Sequence, residues 1–444
     1  MKTVIRPESE MKNSGIEWVG EIPNSWKNIP LKRIIIDRAG GAWGSEPCEN
    51  NSIICMRIAD FDFDRGVFQN KNESELTRRS YEQSQVNKLL LQTNDICIEK
   101  SGGGEKTPVG RAVLFDKAYD ALFANFMDRI RIDSDLAFPK YVEYYLRAMY
   151  FLSVTTLYIK QTTGIQNLNL TSLLQKEVIT IPSISEQQAI ADYLDETCSK
   201  IDKIIAEAKT SIDEYKNLRE SVISNATTYG IKKNRCVKFS SAEWVLEIPT
   251  DWDMIPAKAL FSQSNERKHA DDVQLTASQK YGIISQVEYM KRENSRIVIA
   301  TQGIENWKHV EPNDFIISLR SFQGGLEKSD VSGCITWHYV VLKPNNGVYC
   351  DYFKWLFKSD KYINALQGTC NFIRDGQDLR FSNFIQVPLL AVPIEEQKEI
   401  ANYLNKEVPK IDSLITEKQS LIADLEAYKK SLIYEVVTGK RKVV

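Results

Sequence analysis

One segment of this chain is written twice, and the repeat constrains everything else. Residues 185–228 recur at 395–438: Ala191-Asp192-Tyr193-Leu194 returns 210 residues later as Ala401-Asn402-Tyr403-Leu404, Ile201-Asp202 as Ile411-Asp412, and Ser221-Val222-Ile223 as Ser431-Leu432-Ile433. Each copy has the apolar spacing of a long helix. In the first, Ile190, Leu194, Ile201, Ile204, Ala208, Tyr215, Leu218 and Val222 fall on the a and d positions of one heptad frame. The second puts Ile400, Leu404, Ile411, Leu414, Leu421, Leu425, Tyr428 and Leu432 in the same frame. Two matched seams in one chain predict one antiparallel coiled-coil pair.

That frame has polar gaps, at Thr197, Ser211 and Asn225 in the first copy and Glu407, Lys418 and Glu435 in the second. Unpaired buried charge is costly, so these positions belong at the wet edge of the pair or against polar groups of another subunit. Ser183 to Glu186 has capping-box spacing, Pro393 precedes the second start, and Gly230 and Gly439 stand where C-terminal caps are expected. A helix of about 43 residues at roughly 1.5 Å each is a rod of about 65 Å.

A chain of 444 residues exceeds one hydrophobic core and predicts two or more domains. No apolar run approaches a membrane span and the N-terminus is not that of a signal peptide, so cytoplasm is the expected location and no membrane partner is expected. The eight cysteines show no C-x-x-C pair, and His269, His309 and His338 are scattered; buried free thiols are expected, with no metal site. Net charge is -2, yet the two repeated segments carry -4 and -3, which leaves +5 on the rest. Acid on the rods and base on the globular parts permits DNA binding by the latter.

The repeat extends beyond the helices. Glu17-Trp18-Val19-Gly20-Glu21-Ile22-Pro23 matches Glu243-Trp244-Val245-Leu246-Glu247-Ile248-Pro249, each followed by a second tryptophan, Trp26 or Trp252. These read as aromatic plugs that seat the opening segment. Each half then reads as a mixed α/β region, with strands expected at 52–58, 95–98, 112–115 and 126–132, and at 296–301, 314–319 and 338–342. Shared landmarks are Asn94-Asp95 and Asn313-Asp314 before a strand, then glycines 102–104 and 324–325. Tyr141–Tyr145 answers Tyr352–Leu356 as a short aromatic helix of the core, and Gly/Gln loops at 161–167 and 374–377 follow. The frame repeats while its filling diverges.

Catalytic patterns are mostly missing. Gly102 to Thr107 lacks the glycine directly before lysine that a phosphate loop needs. Asp95, Glu99 and Lys100 suggest a nuclease cluster, but the spacing is cramped and the second half has Ser318, Leu319 and Arg320 there. No Asn/Asp-Pro-Pro-aromatic tetrapeptide stands ready for a flipped adenine, and no Gly-x-Gly motif suggests bound S-adenosylmethionine. The chain reads as a non-enzyme.

The doubled frame, with Ile16 to Pro23 near the start and Ile-Pro-x-Ile-x-Glu-Gln-Gln-x-Ile-Ala-x-Tyr-Leu-Asp at 181–195, resembles the specificity subunit of type I restriction-modification systems. The second copy at 392–401 fits as well. The resemblance implies two mixed α/β target-recognition domains, each reading one part of a split duplex-DNA site, and two long helices forming an antiparallel spacer. Its segments are 1–182, 183–230, 231–392 and 393–444. It implies two methyltransferase subunits, which carry S-adenosylmethionine and the methylating site, and restriction or motor subunits for cleavage; this chain itself takes no cofactor. A rod of about 65 Å matches nearly two turns of B-DNA at roughly 34 Å each. The other reading is a coiled-coil scaffold holding protein partners at two globular ends.

Candidate DNA contacts are donors in the glycine-rich loops: Lys100, Ser101, Lys106 and Arg111 in the first half, and Arg320, Gln323, Lys328 and Arg374 in the second. The resemblance assigns Gln187, Gln188, Tyr193, Gln397 and Tyr403 to partner docking, with packing in the helix pair the other reading for the tyrosines. The expected coiled-coil core is Ile190, Leu194, Ile201, Ile204 and Leu218 against Ile400, Leu404, Ile411, Leu414 and Leu425.

Overall fold

The computed structural model describes residues 2–48, 52–162, 164–278, 280–295, 303–317, 326–369 and 379–444. It divides into two compact units, the first running to Lys209 and taking in Ser420–Val444, the second Thr210–Gln419. Four helices carry the repeat: α1 (Pro139–Phe151), α2 (Ile184–Tyr229), α3 (Cys350–Leu356) and α4 (Ile394–Val437). No helix among the described residues is long and apolar enough to cross a membrane.

The long helices begin and end where the sequence places them. The Glu186 N–H donates to Ser183 Oγ at 3.3 Å, and both helices stop before a left-handed glycine, Gly230 at φ +78° and Gly439 at φ +74°. A Cβ on Gly439 would lie 2.4 Å from Pro23, and one on Gly230 would lie 2.7 Å from Arg235. Trp26 and Trp252 are fully buried beside these two glycines, as plugs should be.

In the first unit a six-stranded sheet runs in the order Ile35–Gly40, Met127–Ile132, Ile96–Glu99, Ala112–Leu114, Val67–Phe68, Phe61–Asp62. Alternation along the strands splits the core in two. Ile96, Ile98, Ala112 and Leu114 face Tyr141, Tyr144 and Tyr145 of α1 and, beyond them, Leu194 and Val436. Cys97 and Val113 face the opposite way, into Met56, Phe61, Phe68 and Phe123. The expected strands at 52–58, 95–98, 112–115 and 126–132 are present at Ser52–Met56, Ile96–Glu99, Ala112–Leu114 and Met127–Ile132.

The second unit repeats the plan with four strands, Phe261–Ser264, Val340–Pro344, Phe315–Ile317 and Glu327–Lys328 in sheet order. Phe315 and Ile317 face Tyr352 and Phe353 of α3 and Leu404 of α4, while Ile316 and Val341 face Leu275, Ile283 and Val310. The landmark before the central strand is the same turn twice. Asn94 and Asn313 are left-handed at φ +75° and +77°, and Asp95 and Asp314 accept the N–H of Gln92 and Glu311 at 2.8 and 2.9 Å. The strand expected at 296–301 and the glycines at 324–325 lie outside the described residues.

The helix seam needs a correction. Ile190, Leu194, Ile201, Ile400, Leu404 and Ile411 are buried and Leu425 packs against the core, but Ile204, Leu218 and Leu414 are 44%, 48% and 39% exposed. After Ile190 and Ile400, the second row of core positions lies one residue further on: Cys198, Ile205, Ile212 and Ala226 are buried, and so are Val408 and Val436. The shift removes most of the polar gaps, since Thr197, Ser211 and Asn225 give way to Cys198, Ile212 and Ala226. Two ion pairs set the direction. Advancing along α2 from Asp202 to Arg219 retreats along α4 by the same number of residues, from Lys429 to Asp412, which is antiparallel pairing.

Among the described residues all cysteines are free thiols; Cys48 and Cys236 are exposed, and Cys55, Cys97, Cys198 and Cys334 are buried.

Candidate nucleic-acid interface

Each unit is braced by the same polar contacts. Gln187 accepts the Phe138 N–H at 2.7 Å and donates to the Pro182 carbonyl at 3.1 Å. Gln397 accepts the Tyr349 N–H at 2.8 Å and donates to Val392 and Gly347 at 2.8 and 2.9 Å. Both amides thus cap the start of the aromatic helix, α1 or α3, and tie it to the end of the strand that leads into the long helix. From that helix Tyr141 donates to the Val437 carbonyl at 3.0 Å and Tyr352 to the Thr227 carbonyl at 2.8 Å, each at the end of a long helix. Tyr144 bonds Asp195 at 2.7 Å, and Trp355 bonds Asn405 at 2.9 Å. Arg6 pairs with Glu186, and Arg235 with Glu396.

These contacts correct the docking assignment for two residues. Gln187 and Gln397 are fully buried and their amides are spent inside their own units, so neither can face a partner. Tyr193 is buried as well, its hydroxyl 3.5 Å from Thr3 Oγ1. Gln188 is half-buried and donates to Asp192, and Tyr403 is exposed.

In the first unit the fold joins two loops that are distant in sequence. Ser101–Gly102 pairs with Ile165–Leu168, which pairs in turn with Ile159–Thr162, so the glycine loop and the Gly/Gln loop share one three-stranded sheet. Val109 N–H donates to Gln166 Oε1 at 3.2 Å and Ser101 Oγ to Asn167 Oδ1 at 2.7 Å, which fixes the base of both loops. Above that base, Gly102 is left open, with nothing near an added Cβ. Lys106 on the same loop and Lys160, Gln161 and Ile165 on the paired strands are exposed, and so is the apolar Leu157. Such a surface offers cations for phosphate, an amide for a base edge and close backbone approach.

The other candidates here are already paired. Arg111 forms a two-pronged bond to the buried Glu99, 2.7 and 2.8 Å, with its guanidinium 3.5 Å above the Phe63 ring. Lys100 lies 2.9 Å from the buried Asp128, which Arg38 also holds at 2.6 Å. Ser101 is buried. Asp95 is held by Arg131 at 2.8 Å, so Asp95, Glu99 and Lys100 serve three separate ion pairs and do not converge as a cluster.

In the second unit, Lys328 is corrected. Its ammonium is 2.8 Å from Asp351 and 2.9 Å from Asp330, with the side chain only 10% exposed, which leaves nothing for a phosphate. Arg320, Gln323 and Arg374 lie outside the described residues. Sequence reasoning passed over Trp337, which is 55% exposed and stacked on His338 with ring centroids 3.5 Å apart. It shares a groove with Gln263, Lys308 and Phe381. A tryptophan in a loop after a strand was the available signal.

Residues 65–214 match the family described as Type I restriction modification DNA specificity domain. Over those residues the chain carries a type I restriction-modification DNA specificity domain. The Type I restriction enzyme StySPI specificity subunit of Salmonella potsdam is 20% identical over 205 residues, 45% of this chain and 42% of that protein. The match thus spans less than half the length of that relative. A chain from a solved structure on complex assembly and conformational transition of the type I R-M system aligns over 94% of this chain and 99% of its own, with 12% identity and a TM-score of 0.67. The HsdS subunit from Thermoanaerobacter tengcongensis aligns over 94% and 98%, with 12% identity and a TM-score of 0.52. These likenesses show that the chain has the same fold, with two α/β units and paired long helices.

Proposed function

We propose that this chain is the DNA sequence-recognition subunit of a type I restriction-modification complex. Each unit reads one half of a bipartite duplex site, and the assembly brings the methyltransferase and restriction subunits to it. The observation that carries this reading is the contrast within each unit. The Gln clamp, the tryptophan plug, the aromatic helix and the helix ion pair recur residue for residue, while the sequence between them diverges, with glycines 102–104 and residues 161–167 in one half against glycines 324–325 and residues 374–377 in the other. One scaffold presenting two unlike surfaces is what two different half-sites require.

Recognition belongs to 1–182 and 231–392, and the helical segments 183–230 and 393–444 join them. In the first recognition segment Lys106 and Lys160 meet phosphates and Gln161 a base edge; in the second, Trp337 lies on the DNA-facing side. Arg320, Gln323 and Arg374 are retained as base or phosphate contacts. The exposed Tyr403 and the half-buried Gln188 face the methyltransferase subunits, of which the doubled frame calls for two. S-adenosylmethionine is held by those partners. The scaffold alternative has no counterpart to the match with a DNA specificity domain.

The test is sequencing of methylated adenine in cells that carry the chain with its methyltransferase, against cells lacking only this chain. Loss of one split motif supports the reading, and persistence of every motif overturns it. Exchange of residues 1–160 for those of a relative should change one half of the motif and leave the other intact.

A further inference from the structure

The second unit holds a group of side chains that DNA reading does not use. Glu266, His269 and His309 each bring one ligand atom within 4.8 Å of the others. Glu266 and His269 stand on the loop between Phe261–Ser264 and Leu275–Ser278, and His309 is in the strand Lys308–Val310. Main-chain bonds fix the loop to that strand: His309 N–H donates to the Glu266 carbonyl at 2.9 Å and Lys268 N–H to the Trp307 carbonyl at 2.9 Å. The sequence shows three scattered histidines. The fold stacks two of them, with ring centroids 3.8 Å apart and planes 25° from parallel.

His309 is 3% exposed, and its Nδ1 faces both oxygens of Asp272, at 2.9 and 3.1 Å. Asp272 is itself held by the His269 N–H at 2.8 Å. A carboxylate at Nδ1 fixes the tautomer and leaves the Nε2 lone pair free to ligate, the arrangement found behind metal-bound histidines. His269 Nε2 lies 3.0 Å from Glu266 Oε1, and Glu311 Oε1 is 3.6 Å from His309 Nε2. Two imidazoles and a carboxylate, open to solvent on one side for a water or for Glu311, form a nitrogen and oxygen set suited to tetrahedral zinc. Lys343, 3.2 Å from Glu311 and 3.6 Å from Glu266, balances carboxylate charge but does not account for stacked imidazoles backed by a buried aspartate.

We propose that Glu266, His269 and His309, oriented by Asp272, bind a divalent transition-metal ion, Zn2+ by its donor chemistry, which pins the loop 265–274 to the strand at His309. All three histidines of the chain lie in its second half, so the ion belongs to this unit and not to the repeated frame. The inference does not rest on the DNA reading.

The full chain, carrying Cys48→Ser and Cys236→Ser to remove exposed thiols, is stripped with chelator and titrated with Zn2+ by calorimetry. One equivalent should bind, with a rise in Tm that the metal alone produces. Glu266→Gln with His269→Gln alters exposed positions, so circular dichroism should be unchanged while affinity falls at least tenfold. Asp272→Asn should weaken binding by about 10- to 100-fold. Co2+ in place of Zn2+ should give a d–d spectrum without a thiolate charge-transfer band. No saturable uptake, uptake unchanged in the Glu266/His269 variant, or a thiolate band that assigns the ion to cysteine would each overturn the proposal.

Discussion

Lys429 Nζ lies 2.5 Å from Asp202 Oδ1, at a position of α4 where the heptad seam otherwise takes apolar side chains. The repeat puts Arg219 and Asp412 in the equivalent places, 2.9 Å apart. The pairs differ in burial: 8% and 13% of the side chains exposed in the first, 26% and 50% in the second. Lys429→Ala should therefore cost about 3 kcal/mol, because it strands the Asp202 carboxylate. Arg219→Ala should cost within about 1 kcal/mol. Urea unfolding of the four single variants, Lys429→Ala, Asp202→Ala, Arg219→Ala and Asp412→Ala, and of the two double variants measures the two couplings. Equal costs at the two sites would show that burial does not control them.

The corrected seam has its own test. Ile204→Glu and Leu218→Glu change exposed positions and should stay within about 0.5 kcal/mol of the parent. Ile205→Glu, Ile212→Glu, Leu194→Glu and Leu404→Glu place a charge in the buried seam and should cost about 3 kcal/mol or more, with loss of methyltransferase binding. Thermal melts of the six variants side by side distinguish the two frames, which differ by one residue at every second core position.

Removal of the glutamine clamps should act on folding and not on docking as such. Gln187→Ala or Gln397→Ala leaves a buried N–H and a buried carbonyl without partners, at about 1–3 kcal/mol for each group left bare. The melting temperature should fall in each variant, and the fraction that remains folded should bind methyltransferase subunits as the parent does, read by pull-down at low temperature.

Acid should loosen the second unit through Glu396. Burial pushes its carboxyl up, but bonds from Arg235 and from Trp252 Nε1 at 3.1 Å outweigh that and hold it below its ordinary 4.5. A carboxyl lowered on folding adds stability that is whole above the unfolded value and lost as pH falls through the folded one. Glu396→Gln should lower Tm at pH 7 and flatten the decline below pH 4.5. Parallel pH profiles for parent and variant would contradict this.

For DNA, Lys106→Ala should weaken binding by the methyltransferase complex evenly across sequences and reduce the salt slope by about 0.9. Arg111→Ala should lower stability, because it strips the buried Glu99 of its partner. Fluorescence anisotropy at several salt concentrations, beside thermal melts, separates these outcomes.

The parts that were legible in the sequence are those fixed by local chemistry written twice. Trp26 and Trp252, the Asn94 and Asn313 turns, the two aromatic helices and the glycine caps could be read because each needs a residue type that little else supplies. The helix seam was half legible. Leu194, Ile201, Leu404 and Ile411 define one row of the heptad, but Ile204, Leu218 and Leu414 are apolar residues one step off the second row, and only packing separates them from Ile205, Ile212 and Val408. The glutamines were assigned to docking by the resemblance alone, and nothing in the sequence brings Phe138 or Tyr349 against them. Lys328 misled for the same reason, since Asp351 reaches it only when α3 packs on the sheet. His269 and His309 are forty residues apart, and no spacing rule joins them.

The discontinuous make-up of the first unit bears on the order in which the chain takes shape during synthesis. Gly439 packs against Pro23 and Trp26, and Tyr141 bonds Val437, so residues made early wait for partners about 300 to 400 positions later. Residues 210–419 form their unit from one uninterrupted stretch. Domains usually complete from the N-terminus as they emerge from the ribosome. Here the order is reversed: the second unit can close first, and the first unit holds an open apolar face until residues 420–444 arrive to cover it.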